Sequence, residues 1–256
     1  MGYSGLHLTT EQLARFGQLY LAKGSWAGSE LLPPSWVAEA TRVHTATPGE
    51  PEPDWRRGYG YQFWRSRHGY RGDGAYGQFC LVLPEQNAVV VTTGDTESMQ
   101  PVLDAVWAHL MPAFDSPSGQ GDDDRLAARL TSLAPPVHGA GTVPGDDWVT
   151  AGAVTERPGG WALTVAAAEQ RLVISCGDRL WHRTFVPVAD GRALAVAAQG
   201  WWSDPETFTA ELVFVQTPHR MTVRYKPRTG TSSAQWRTVP LGRVSLTRLA
   251  TPLSAE

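Results

Sequence analysis

Hydrophobic positions in the first 114 residues change between helical and strand spacing. Leu13, Phe16 and Tyr20 recur at the spacing of one helical face. They follow Thr9-Thr10-Glu11-Gln12, which resembles a capping box and predicts that a helix begins there. A wide apolar stripe over 99–111 predicts a last helix, which has to pack on a sheet. The predicted elements are helices over 10–23, 33–40 and 99–111, and strands over 58–64, 76–83 and 88–93.

Beyond residue 146 the pattern changes to period two. Phe208, Ala210, Leu212 and Phe214 alternate with polar neighbours, as half-buried antiparallel strands do. The segment before it is rich in Pro, Gly, Ser and acidic residues, which is typical of a linker. We therefore predict an α+β domain over 1–114, a linker with a short helix over 115–145, and an all-β, barrel- or sandwich-like domain over 146–256.

Charge and cysteine usage narrow the possible functions. The net charge of −3 gives no electrostatic argument for binding nucleic acid or an anionic membrane. No apolar run approaches the length of a membrane span. Cys80 and Cys176 lie in apolar runs without metal-ligand spacing, so we predict two buried thiols, no metal site and no cofactor. We expect a cytoplasmic protein, an inference that depends on Met1 being the true start.

Several segments of the first region carry a family resemblance through their order and spacing. They read Thr9-Thr10-Glu11-Gln12-Leu13-Ala14-Arg15-Phe16-Gly17, Leu31-Leu32-Pro33-Pro34-Ser35-Trp36-Val37, Gly58-Tyr59-Gly60-Tyr61-Gln62-Phe63-Trp64 and Gly74-Ala75-Tyr76-Gly77-Gln78-Phe79. Together they resemble the C-terminal portion of the serine β-lactamase-like family, which includes class C β-lactamases, penicillin-binding-protein-like peptidases and related esterases. The resemblance implies a partial β-lactamase/transpeptidase-like antiparallel sheet backed by helices.

The same resemblance implies hydrolysis of a lactam, an ester or a D-amino-acid peptide through an acyl-enzyme. That chemistry needs a Ser-x-x-Lys nucleophile pair and a Tyr-x-Asn triplet, because a serine hydroxyl attacks an acyl carbon only beside a base. Neither motif occurs: Lys23 and Lys226 follow Tyr20 and Val223 by three positions, and no tyrosine stands two positions before Asn87. We expect the chain to be inactive alone. It is either a C-terminal fragment of such a hydrolase, which we favour, or a degenerate member kept for another role.

A third family element, Lys-Thr-Gly or His-x-Gly, supplies a cation and one oxyanion N–H on the strand beside the active site. Neither triplet occurs, and the register of its equivalent stays open between Gly69-Tyr70-Arg71 and Asp73-Gly74-Ala75. His68 or Arg71 could replace the cation, and glycines suit an edge that a substrate approaches. A glycine-rich hairpin with solvated charges explains the segment equally well. The candidate remnants of the active-site strand are His68, Arg71, Gly72, Asp73 and Gly74.

Eleven tryptophans suggest a second hypothesis, a non-catalytic binding module for an apolar ligand or a sugar. Alternation places the rings of Trp201 and Trp202 on opposite faces of a strand. The candidate ligand-binding residues are Trp201, Trp202 and Trp181, in a domain that Trp148, Trp161 and Trp236 would also line. The alternative is that these rings fill a small β core. Under the first hypothesis the expected partner is a small-molecule acyl substrate, provided that the nucleophile-bearing part is joined to this chain. Under the second hypothesis it is an apolar ligand or a sugar.

Overall fold

The computed structural model describes residues 6–116, 119, 121–133, 149–167, 170–188, 190–240 and 245–250. The chain divides into two units, Met1–Pro136 and Val137–Glu256. Helices and strands together confirm the broad α+β prediction. The domain boundaries at 114 and 146 stay predictions, and much of the predicted linker, like Trp148, lies outside the described residues.

The first unit contains a four-stranded antiparallel sheet in the order β3-β4-β5-β6 and a separate hairpin, β1-β2. A π-helical turn, Val106–Leu110, and a 3-10 turn, Met111–Asp115, continue its third helix. The elements are α1 (Thr10–Leu21), β1 (Ser25–Trp26), β2 (Ser29–Glu30), α2 (Pro34–Thr41), β3 (Trp64–Arg65), β4 (Tyr70–Gly74), β5 (Gln78–Leu83), β6 (Ala88–Thr92), α3 (Gln100–Ala105) and α4 (Asp122–Thr131).

The capping box of α1 is confirmed. The Thr9 hydroxyl accepts a hydrogen bond from the Gln12 backbone N–H at 3.2 Å, and the Gln12 side chain accepts one from the Thr9 N–H at 2.9 Å. The helix buries Gly17 and Tyr20. A Cβ on Gly17 would lie 2.6 Å from Val89 and 2.7 Å from the Cys80 sulfur, so only glycine allows α1 to lie this close to the sheet.

Two apolar clusters cover the two faces of this sheet, as the alternation along β5 requires. Val82 belongs to the cluster on the α1 side, and Phe79, Leu81 and Leu83 belong to the cluster on the α3 side. The α1-side cluster consists of Tyr20, Val37, Ala40, Phe63, Tyr70 and Val82. The α3-side cluster consists of Phe79, Leu81, Leu83, Leu103, Val106 and Trp107.

Two elements predicted from the sequence are shorter in the structure. The predicted strand over 58–64 is reduced to β3, because Gly58 and Gln62 adopt positive φ angles of 99° and 64° and turn the chain. The predicted helix over 99–111 is α-helical only to Ala105. Pro112 has no N–H for the preceding carbonyls, and the backbone changes first to π and then to 3-10 hydrogen bonding.

In the described part of the second unit there are eight strands and one 3-10 helix, Leu246–Leu249. The sheet order is β14-β13-β12-β11-β9-β8-β7, with β10 paired to the first half of β11. The sheet curls until its ends meet through side chains: the Tyr225 hydroxyl donates to the Gly152 carbonyl at 3.0 Å, and the Ser232 hydroxyl accepts from the Ala151 N–H at 3.0 Å. The strands are β7 (Val149–Arg157), β8 (Gly160–Ala167), β9 (Gln170–Asp178), β10 (His182–Pro187), β11 (Ala193–Asp204), β12 (Thr207–Phe214), β13 (Arg220–Lys226) and β14 (Thr231–Thr238).

Both cysteines are buried free thiols, as predicted. Burial raises the pKa of the Cys80 thiol to about 11 and that of the Cys176 thiol to about 12. Both are therefore protonated and unreactive at neutral pH. In the described ranges, no helix is long and apolar enough to cross a membrane.

The contact of α1 with the sheet can be tested with Gly17→Ala. Alanine in a helix normally stabilises by about 1 kcal/mol over glycine. Here the added methyl overlaps Val89 and Cys80, and overpacking costs roughly 1–3 kcal/mol. We expect a net loss in the free energy of unfolding, measured by urea titration with circular dichroism. Gly152→Ala, whose Cβ meets nothing within 4 Å, is the control. A gain in stability for Gly17→Ala would contradict the close contact.

Candidate functional site

The candidate active-site strand is β4, and one of its edges is partly open. It pairs with β5 along its whole length, from Tyr70 opposite Val82 to Gly74 opposite Gln78. Its other edge pairs with β3 only at Tyr70 and Arg71. Over Gly72-Asp73-Gly74 that second edge has no strand partner among the described residues. Its backbone groups are thus placed where an extended ligand can reach them.

Arg71 is fully buried and acts as an internal connector. Its Nε donates to Asp73 Oδ2 at 3.0 Å, and its Nη1 donates to Ser66 Oγ at 2.8 Å. Nη1 also donates to the carbonyls of Arg65 and Asp54, at 3.1 and 3.2 Å. Its guanidinium carbon lies 4.3 Å from the ring centroid of Trp55. Burial and these partners favour a structural role for Arg71 over that of a substrate-facing cation.

Asp73 is the counterion of Arg71, and only 8% of its side chain is exposed. Burial raises the pKa of Asp73 to about 6, although the positive charge and hydrogen bond of Arg71 pull it down. Burial likewise lowers the pKa of Arg71, and the Asp73 carboxylate opposes that change. The pair is ionised at neutral pH, and Asp73 takes up a proton as the pH falls below about 6.

Asp54, which the sequence analysis missed, connects the strands to α3. Its carboxylate accepts hydrogen bonds from Gln100 Nε2 at 2.8 Å, from Trp107 Nε1 at 3.0 Å and from the Arg67 N–H at 2.8 Å. Burial alone would raise its pKa, but these donors and the charge of Arg71 hold the pKa of Asp54 below its usual value. The partners lie up to 53 positions away in sequence, so no local pattern could have revealed the site.

His68 and Gly69 lie on the way into β4, away from its open edge. The half-buried His68 ring lies 5.2 Å from Trp107 on α3's continuation. Gly69 has φ of 65°, and a Cβ there would lie 2.0 Å from the Val82 carbonyl oxygen. Of the two registers, Asp73-Gly74-Ala75 therefore fits a substrate-facing position better than Gly69-Tyr70-Arg71, in which Tyr70 and Arg71 are buried.

A cavity of about 650 Å³ adjoins the open edge of β4. Asp73 and Ala75 come from the end of β4 and the turn after it. The loop before β3, the segment leading into α3 and the first residues of α3 itself provide the other walls. The full lining is Glu50, Pro51, Glu52, Trp55, Asp73, Ala75, Glu97, Ser98, Met99, Gln100, Pro101 and Asp104.

The three candidate tryptophans of the second unit lie in different surroundings. Trp202 is 37% exposed, and its ring contacts Trp161 at 6.2 Å and Phe208 at 5.6 Å. Trp201 is half-buried, opposite Thr209 on β12, and strand alternation points it to the other face. Trp181 lies 5.9 Å from the Arg220 guanidinium. Trp236, which the sequence analysis also considered, is core at 1% exposure.

Comparison with known proteins places the candidate strand and cavity in a recognised family region. Residues 1–110 match the family model described as Beta-lactamase. The match covers α1 through the π-helical turn and therefore every residue of the β4 site. No curated protein matches the chain.

The role of Arg71 can be tested with Arg71→Lys. Lysine keeps the charge but cannot reproduce the planar set of donors or the stacking on Trp55, and it leaves buried acceptors unpaired. We expect a loss of roughly 2–4 kcal/mol in the unfolding free energy of the first unit, measured by urea titration. The exposed Arg125→Lys serves as the control and should change stability by less than about 0.5 kcal/mol. Equal effects of the two substitutions would contradict the structural role.

Proposed function

We propose that this chain forms one wall of an acyl-hydrolase site whose serine nucleophile comes from polypeptide outside this sequence, because residues 1–110 match the family model described as Beta-lactamase. The reaction is hydrolysis of a lactam, an ester or a D-amino-acid peptide through an acyl-enzyme. The wall is the open edge of β4 at Gly72-Asp73-Gly74. The family match to the region that holds this edge carries the proposal.

The chemistry of the nucleophile explains why polypeptide outside this sequence must supply the reactive serine. The sequence contains no Ser-x-x-Lys and no Tyr-x-Asn, so no serine here has the neighbouring lysine that the family mechanism uses. A strand edge can still contribute backbone N–H groups to an oxyanion. Glycines at 72 and 74 leave that edge without bulky side chains, which lets an acyl group approach the backbone.

The other edge of the sheet supports the same proposal. Among the described residues β6 pairs only with β5, which leaves its outer backbone groups without a strand partner. Its residues, Ala88–Thr92, contain no charge and no proline, and all five are half-buried. Isolated proteins usually protect such an edge with charges, prolines or bulges. We propose β6 as the edge on which the nucleophile-bearing polypeptide docks.

The test compares the chain alone with the reconstituted enzyme. Alone, it should form no covalent adduct with a fluorescent penicillin or a fluorophosphonate and show no burst with a chromogenic ester. The DNA upstream of the Met1 codon is then searched for a frame encoding Ser-x-x-Lys and Tyr-x-Asn, and its product is co-expressed. The mixture should become acylated on the serine of that Ser-x-x-Lys.

A matched pair of variants assigns the effect to the β4 edge. Gly72→Val should lower the acylation rate of the reconstituted enzyme at least tenfold, whereas Gly152→Val on β7 should leave it unchanged. Stoichiometric acylation of the chain alone would overturn the proposal. Absence of any acylation after reconstitution with a folded partner would overturn it as well.

One observation favours the alternative, a small-ligand binding module in the second unit. The indole Nε1 of Trp161 is buried without a hydrogen-bond partner among the described residues, and its ring borders the partly exposed Trp202. An apolar ligand or sugar with an acceptor oxygen would suit this pair. Ligand-dependent quenching of tryptophan fluorescence that disappears in Trp202→Ala, but persists in Trp36→Ala of the first unit, is the expected result. No quenching across a broad ligand panel would count against the alternative.

A further inference from the structure

The cavity beside β4 has a polar floor and an exposed acidic rim. Asp73 and Gln100 lie at the floor, where the Gln100 residue is 6% exposed. Glu52, Glu97 and Asp104 lie at the exposed rim. The cavity is therefore concave, with polar side chains at its base and carboxylates at its rim.

Negative charge exceeds positive charge in the cavity lining. Five of its residues carry carboxylates, and none is lysine, arginine or histidine. Arg71 balances Asp73, and Arg67 Nη2 lies 3.8 Å from Asp104. The side chains of the remaining three, Glu50, Glu52 and Glu97, form no ion pair with another described residue. A low-dielectric wall focuses such a field into the cavity, where it attracts cations.

The floor also holds a carboxylate oxygen that lacks a donor. Asp73 Oδ2 accepts the Arg71 hydrogen bond, whereas Oδ1 accepts none from the described residues. The side chain lines the cavity although only 8% of it is exposed. Asp73 Oδ1 is not one of the buried atoms that lack a hydrogen-bond partner, so it is accessible from the cavity and can accept a hydrogen bond from an N–H donor that enters.

Apolar surfaces complete the recognition. Trp55 is half-buried. The guanidinium carbon of buried Arg71 lies 4.3 Å from the Trp55 ring centroid, in the protein interior. Pro51, Met99 and Pro101 add aliphatic surface to the walls. Such walls suit an alkyl stem, and the carboxylates at the rim and floor suit the charged group that it carries.

We propose that this cavity binds an organic cation, a primary ammonium or guanidinium group on an alkyl stem, whose N–H groups bond Asp73 Oδ1 and pair with the acidic rim. The cavity adjoins the Gly72-Asp73-Gly74 edge, so the cation belongs to the acyl substrate. That assignment to the substrate rests on the proposed function, whereas cation binding by the cavity does not. The substrate class is therefore a positively charged amide, ester or lactam.

The test measures binding to the unmodified chain, without turnover. Isothermal titration calorimetry compares 1-pentylammonium and 1-pentylguanidinium with neutral 1-pentanol. Both cations should bind with a stoichiometry of one, and their affinity should weaken at least threefold when NaCl is raised from about 20 to about 200 mM, because the attraction is electrostatic. 1-Pentanol should show no saturable binding.

Paired variants locate the site. Glu52→Gln with Glu97→Gln should weaken cation binding at least threefold, whereas Asp123→Asn with Asp124→Asn on α4 removes the same charge and should leave the affinity unchanged. All four side chains are exposed, so both double variants should keep the wild-type melting temperature. Absence of saturable binding, equal binding of 1-pentanol, or equal effects of the two double variants would overturn the proposal. Cation binding without acylation of the reconstituted enzyme would instead overturn only the hydrolase proposal.

Discussion

A fully buried guanidinium constrains the architecture around β4. Burying the charge of Arg71 is unfavourable unless its donors and its charge are both matched. The structure meets most of that demand with one carboxylate, one hydroxyl and two backbone carbonyls around Nε and Nη1, and it places Trp55 beside the guanidinium. Nη2 is buried without a hydrogen-bond partner among the described residues. The carbonyls come from the loop before β3 and from β3 itself. Arg71 therefore fixes the backbone at Asp54 and Arg65 through hydrogen bonds from its side chain. At Asp54 the backbone is irregular and is not part of a strand ladder.

Asp54 extends this network to the helical layer. Its carbonyl faces Arg71, and its carboxylate accepts hydrogen bonds from Gln100 and Trp107 on α3 and its continuation. One residue thus links the loop, the strand and the helix. Because Asp73, Trp55 and Gln100 also line the cavity, the interactions that stabilise this region also shape the candidate binding site. Substitutions in the network should therefore change stability and binding together.

The second unit solves its packing problem by different means. Its core is formed by aliphatic and aromatic side chains from all eight strands, and its sheet closes on itself through side-chain hydrogen bonds from Ser232 and Tyr225. Trp236 and Phe208 are fully buried there, so part of the tryptophan content serves the core. Trp161 and Trp202 lie at the border of that core, where their rings contact each other and Trp202 is partly exposed.

Local patterns in the sequence determined the start of α1, the apolar faces, the change to period two and the burial of Cys80 and Cys176. Each of these depends on neighbours within a few residues, or on composition, and so can be read along the chain. The family resemblance pointed to β4 and its glycines for the same reason. Short-range rules were insufficient where a turn or a proline changed the backbone, as at Gln62 and Pro112.

Tertiary structure alone decided what the charged residues do. Arg71 was a candidate for a substrate-facing cation, and only the fold shows its guanidinium enclosed by Asp73 and carbonyls from a distant loop. Asp54 carried no signal, because its partners lie 46 and 53 positions away. The side-chain pattern of a segment determines its secondary structure from neighbours within a few residues. The partner of a buried charge is determined by which distant segments the tertiary fold brings next to it.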